Sequence, residues 1–200
     1  RRPPRSTLFP YPTLFRSVVA QQVFKTAGII EHEIPKPDAI GNLISKRYAV
    51  KKWNKWEALL QGEYEHAFME LRFADSYFDS HLSTWLNYQD AFNEIVFRSL
   101  QGYLAQKGAL GAIPLVNRNG ERLDYGVLLN NSTFKSNYPD LQDDLNKTHK
   151  RRNLVPGSHP YDKKTGDKAR PLKKSEQKTL KQYLDDAFNE IIKIVERIGI

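Results

Sequence analysis

The chain of 200 residues has no cysteine, a single methionine and only five histidines. Without cysteine there can be no disulfide and no thiolate-ligated zinc. The histidines are scattered and none falls in an H-E-x-x-H pair, so no metal signature is present. No stretch reaches the ~18–20 apolar residues of a membrane span. Nor does the chain hold a G-x-G-x-x-G fingerprint, a Walker phosphate loop or a G-x-S-x-G elbow. Nucleotide-dependent, serine-hydrolase and metallo-enzyme chemistry therefore lack their usual residues, and no cofactor is implied. What remains is 40% hydrophobic and 12% aromatic, enough to bury a core. A cytoplasmic protein with no membrane partner is the expectation.

The net charge of +8 suggests a polyanionic partner, but its distribution matters. Residues 1–17, RRPPRSTLFPYPTLFRS, hold four arginines, four prolines and no acid. Pro10 and Pro12 interrupt the only candidate for a signal-peptide apolar core. The stretch resembles the translated sequence of a short-read library adapter, RRPPRSTLFPYTTLFRS, from which it differs at Pro12 alone. Residues 1–17 are thus expected to be foreign to the gene, and no function is read from their arginines. Residues 18–37 read as the remnant of an upstream region plus the Pro-punctuated linker Ile34–Asp38, and residues 38–200 as one helical domain. Without residues 1–17 the chain carries 27 basic against 23 acidic side chains.

From Asp38, a candidate cap, the apolar spacing turns helical. Ile40, Leu43, Ile44 and Tyr48 share a face, and Trp53, Trp56, Leu59, Leu60, Tyr64, Phe68 and Leu71 continue the spacing of three and four. A long helix is predicted from Ser80 or Ser83 to Gly108, striped by Trp85, Leu86, Phe92, Ile95, Val96, Leu100, Tyr103 and Leu104. Asn119-Gly120 between partly apolar flanks predicts a small β-hairpin near residues 113–129, with Asp124-Tyr125-Gly126 as turn chemistry. Another helix opens at Pro139 with acids in its first turns and ends in Lys147, His149, Lys150, Arg151 and Arg152, before Pro156-Gly157. Ser175 is a candidate cap for a final helix carrying Leu180, Leu184, Phe188, Ile191 and Val195. The acidic pairs Asp143-Asp144 and Asp185-Asp186 read as solvated. The fold class expected is all-α: a four- or five-helix bundle with the hairpin as an insertion.

The basicity is local. Residues 147–174 hold ten Lys or Arg and two Asp, so the rest of residues 18–200 is net acidic. A basic loop at a helix end suits a phosphate backbone. Lys147, Lys150, Arg151, Lys163, Lys164, Lys168, Arg170, Lys173 and Lys174 are the candidate RNA contacts. Within KTHKRRNLVPGSHPYDKK, Arg152 is followed by Asn153 and, after six intervening residues, by His159. An imidazole titrates near neutrality, so His159 suits proton transfer to or from a ribose hydroxyl. A guanidinium stays charged and offers a planar fork to the non-bridging oxygens of a phosphodiester.

The Arg152-Asn153-to-His159 pattern resembles the motif of the HEPN family: arginine, a polar residue, then histidine after four to six intervening positions. The family's all-α bundle, with arginine near one helix end and a long helix after the histidine, has the same order. The resemblance implies a metal-independent endoribonuclease of toxin–antitoxin, abortive-infection or other antiviral-defence systems. It further implies a homodimer in which two motifs face each other, with Arg152 and His159 catalytic and Asn153 orienting the histidine or contacting phosphate. His149, one helical turn before Arg152, is a secondary candidate. Partners so implied are RNA, a second copy, and an antitoxin or a fused upstream domain, of which a reverse transcriptase is one form. The alternative is a non-catalytic RNA-binding or dimerisation module using the same loop.

Overall fold

The apolar stripes predicted from spacing become helices that meet on their buried faces. The structure is a computed structural model that describes residues 36, 38–156, 166 and 168–199. The adapter-like segment, the upstream remnant apart from Lys36, and His159, Lys163 and Lys164 lie outside the described residues. Eight helices are present among those described: α1 (Ala39–Arg47), α2 (Trp56–Leu60), α3 (Tyr64–Tyr77), α4 (Leu82–Gln106), α5 (Tyr125–Leu129), α6 (Ser132–Asn137), α7 (Pro139–Arg152) and α8 (Lys174–Ile198). The chain is all-α. None of these helices is long and apolar enough to cross a membrane.

The two 25-residue helices, α4 and α8, carry much of the core. Phe188 of α8 is fully buried and meets Tyr48, Trp56 and Phe92 edge-on, with centroid separations of 5.4, 6.2 and 5.9 Å. Burying one such side chain is worth about 1.5–3 kcal/mol, and edge-to-face contact adds to it. Helix α3 packs on α4 and α7 packs on α8, while α4 also touches α2, α7 and α8. Thus α4 is the element against which the end of α7 is set.

The spacing from Asp38 to Leu71 does mark one buried face, but it belongs to three helices. Helix α1 gives way to extended backbone at Tyr48, and α2 stops at Gln61, whose φ is +35°, next to Gly62. The linker after α1 is held instead by α8, with Ala49 N–H donating to Asp185 at 2.9 Å and Asn189 donating to the Ala49 carbonyl at 2.9 Å. Gly41 lets that linker close on α1, since a Cβ there would lie 2.5 Å from the Trp53 carbonyl oxygen. Asp38 is no side-chain cap: its φ is +73° and only its carbonyl enters the helix, accepting from Asn42 at 2.8 Å.

Around Asn119-Gly120 the chain makes a tight turn with a single antiparallel bridge, Val116 to Arg122. Asn117 closes it by accepting from the N–H groups of Asn119 and Glu121, both at 2.9 Å. The expected second strand does not continue to residue 129. Tyr125, Leu128 and Leu129 fall at i, i+3 and i+4, and burying all three coils the segment into α5. At the last helix the capping group is Glu176 rather than Ser175. Its carboxylate accepts from the Lys173 N–H at 3.0 Å, and the helix begins at Lys174.

Candidate functional site

Helix α7 ends where its macrodipole favours cations, and its last turn is His149, Lys150, Arg151 and Arg152. Successive side chains point in different directions round the axis, so these four do not share an environment. His149 faces α4, and its Nδ1 lies 2.9 Å from Oδ2 of Asp90. Asp90 sits on the buried stripe of α4, with its side chain only 6% exposed. Tyr125 packs edge-on against the imidazole, at 5.0 Å between centroids. Gly126 admits the ring, because a Cβ there would come 3.1 Å from Nε2.

Asn153, the residue after the helix, places its carboxamide nitrogen 3.3 Å from His149 Nε2. Arg152 Nη1 donates to the Asn153 carboxamide oxygen at 3.2 Å, and its Nε lies 3.8 Å from Asp90 Oδ2. The Arg152 side chain is one-third exposed. The structure thus gathers Arg152, Asn153 and His149 around one buried carboxylate. Beside them, Asp90 Oδ1, Tyr125 OH and Arg152 Nε have no hydrogen-bond partner among the described residues. Burial and the nearby carboxylates of Asp90 and Glu94 push the Tyr125 hydroxyl well above its ordinary pKa.

Arg151 turns the other way. It pairs with Glu176 at 3.0 Å and donates toward the carbonyls of Arg170 and Pro171 at 3.4 and 3.3 Å. Arg170 meets the same carboxylate at 2.8 and 2.9 Å, and its N–H donates to the Leu154 carbonyl at 2.9 Å. These bonds fasten Leu154 and Arg170, on the two sides of the basic segment, to the start of α8. They hold the Glu176 carboxyl down to about 2, Arg170 first and Arg151 and the Lys173 N–H after it.

The remaining candidates are dispersed. Lys147 pairs with Asp143 and lies 4.4 Å from the centre of the Tyr183 ring, facing α8. Lys174 is 3.5 Å from Asp79. Lys150, Lys168 and Lys173 are exposed. The pair Asp185-Asp186 is not uniformly solvated, for Asp185 is buried, bound to Lys181 at 2.9 Å and to the Ala49 N–H. Asp144 is half-buried, and desolvation with the charges of Asp186, Asp143 and Asp140 outweighs Lys147 to raise it to about 6.

Asp90, Tyr125 and Glu176 are the residues that pattern reading misses. Asp90 had a signal: a charged side chain inside the stripe of Leu86, Phe92 and Val96 must find a partner when buried. Its identity had none, since His149 is 59 residues away. Comparison with protein-family models, with curated proteins and with solved structures finds no match to the chain.

Proposed function

We propose that residues 38–200 form a HEPN-type, metal-independent endoribonuclease domain that works as a homodimer in a toxin or antiviral-defence system. On this reading α3, α4, α7 and α8 make up the bundle and the Asn119-Gly120 turn is an insertion into it. The observation that supports it best is the grouping of Arg152, Asn153 and His149 at the C-terminal end of α7, the guanidinium one-third exposed and 3.8 Å from Asp90. Arg152 stabilises the negative charge that builds on the phosphate. His159 takes the proton of the ribose 2′-OH as that oxygen attacks phosphorus. The bond from phosphorus to the 5′-oxygen breaks, a proton is returned to the leaving oxygen, and a 2′,3′-cyclic phosphate remains. The second copy supplies the other histidine.

The test is RNA cleavage in excess EDTA. The native protein is expected to give 2′,3′-cyclic phosphate ends, and His159→Ala to lose about 100-fold or more of the rate. RNA bound by both proteins and cut by neither identifies a non-catalytic binding module instead, in which the exposed Lys150, Lys168 and Lys173 make the contacts.

A further inference from the structure

The four side chains at the α4–α7 junction have donors and acceptors that fit in only one order. A carboxylate can only accept, so the His149 nitrogen 2.9 Å from Asp90 Oδ2, Nδ1, is the donor. A neutral imidazole protonated on Nδ1 has an accepting Nε2. That nitrogen faces the Asn153 Nδ2 at 3.3 Å, which donates. With its nitrogen so committed, the Asn153 carboxamide presents oxygen to the Arg152 Nη1 at 3.2 Å, and a guanidinium can only donate. Each of these three contacts then pairs one donor with one acceptor. Moving the imidazole proton to Nε2 sets donor against donor at Asn153. Turning the carboxamide over to relieve this sets its nitrogen against the guanidinium.

We infer that Asp90 is a positioning residue: by fixing the His149 tautomer it fixes the Asn153 carboxamide, and through that the guanidinium of Arg152 that meets the scissile phosphate. The inference rests on the ribonuclease reading for its catalytic half alone. Its steps follow from the geometry. Asp90 is buried on α4, which limits its freedom to follow a rotating histidine. Tyr125 and Gly126 confine the ring from the side. Arg152 is the exposed end of the relay, and Asp90 Oδ2 also lies 3.8 Å from its Nε, which adds a charge interaction of the same sense. In this arrangement His149 is spent on orientation, with its Nε2 occupied by Asn153. A proton acceptor for the 2′-OH is left to another group.

Two measurements on the full chain decide the matter. The first is the 15N pattern of His149, which reports the tautomer and needs no RNA. The native protein is expected to show the proton on Nδ1, Asp90→Ala to lose that preference, and Asp90→Asn, whose carboxamide oxygen can stand in for Oδ2, to keep it. The second is steady-state cleavage of an oligoribonucleotide. Asp90→Ala is expected to lose about 100-fold in kcat with little change in KM, and Asp90→Asn to recover to within roughly tenfold of native. Asn153→Ala, at a half-exposed position that puts folding at little risk, breaks the relay beyond the histidine. It should lose kcat as Asp90→Ala does while His149 stays protonated on Nδ1. A native His149 protonated on Nε2, or a tautomer unmoved in Asp90→Ala, overturns the inference. So does native-like kcat in both Asp90→Ala and Asn153→Ala. Failure of the native protein to cut any RNA overturns the ribonuclease reading and the catalytic half with it, and the tautomer result tells the two failures apart.

Discussion

Arg151 and Arg152 are neighbours in the chain and differ in nearly everything else. Arg151 is only 11% exposed; its Nε and Nη2 reach Glu176, and Nη2 also points toward the carbonyls of Arg170 and Pro171. Arg152 is one-third exposed, leans on Asp90 at 3.8 Å and reaches Asn153 with one nitrogen. One arginine fastens two parts of the chain together, and the other is held but not used up. The step of about 100° between successive helical residues turns them toward different partners, α8 for the first and α4 for the second. A run of basic residues in a sequence is therefore not a count of cations available to a ligand.

Matched substitutions separate the two most sharply. Lysine keeps the charge at either position and removes the planar fork. On the ribonuclease reading Arg152→Lys is expected to lower kcat about 100-fold and to leave the thermal midpoint nearly unchanged. Arg151→Lys should do the reverse: cleavage within a few-fold of native, and stability lower by about 1 kcal/mol because the two-nitrogen contact with Glu176 is lost. Cleavage rates and melting curves of the two proteins measured side by side check this. Equal effects on both properties in both variants would show that the division of labour is false.

Acid should act on one side of the comparison. The Glu176 carboxyl is lowered to about 2 by Arg170, Arg151 and the Lys173 N–H, against an ordinary value near 4.5. A depressed carboxyl contributes stability that is complete above its unfolded value and is lost as pH falls toward the folded one. The loss therefore runs from about pH 4.5 down to about 2. The full shift would be worth several kcal/mol, but this carboxylate is reached by water on its exposed side, which reduces the contribution to about 1 kcal/mol. Glu176→Gln should remove that much at neutral pH and flatten this part of the pH–stability curve. Denaturation at pH 7 and pH 3, native against variant, gives the answer.

How much of this was legible beforehand depended on whether the information was local. Helices α4, α7 and α8 were readable because each carries its own apolar stripe and its own ends: Gly108 after α4, Pro139 and the basic last turn for α7. The break between α2 and α3 was not readable, because Gln61 adopts a positive φ that no side-chain preference announces. Helix α5 was read as strand because five residues are too few to display a period, and only the core it fills reveals Tyr125, Leu128 and Leu129 as one face. At the site, Arg152, Asn153 and His149 were readable as a group, for they share one helix end. Asp90 and Glu176 reach that end from α4 and α8, and a sequence does not state which distant carboxylate a given arginine will find.

The smallest effect expected lies on α7 itself, two turns before Arg151. Asp144 is half-buried and raised to about 6, by desolvation first and by Asp186, Asp143 and Asp140 after it, with Lys147 working in the opposite direction. Its sign is opposite to that of Glu176. A carboxyl raised above its unfolded value is favoured in the folded state when protonated, so it costs stability at neutral pH and ceases to do so below about pH 4. Asp144→Asn removes the charge and keeps the shape. It should raise stability by about 0.5–1 kcal/mol at pH 7.5, allowing for screening at this partly exposed position, with the gain disappearing by about pH 4. A gain independent of pH would mean that packing and not charge is at work. A loss would mean that Asp144 favours the positive end of α7 strongly enough to outweigh its burial beside three other acids.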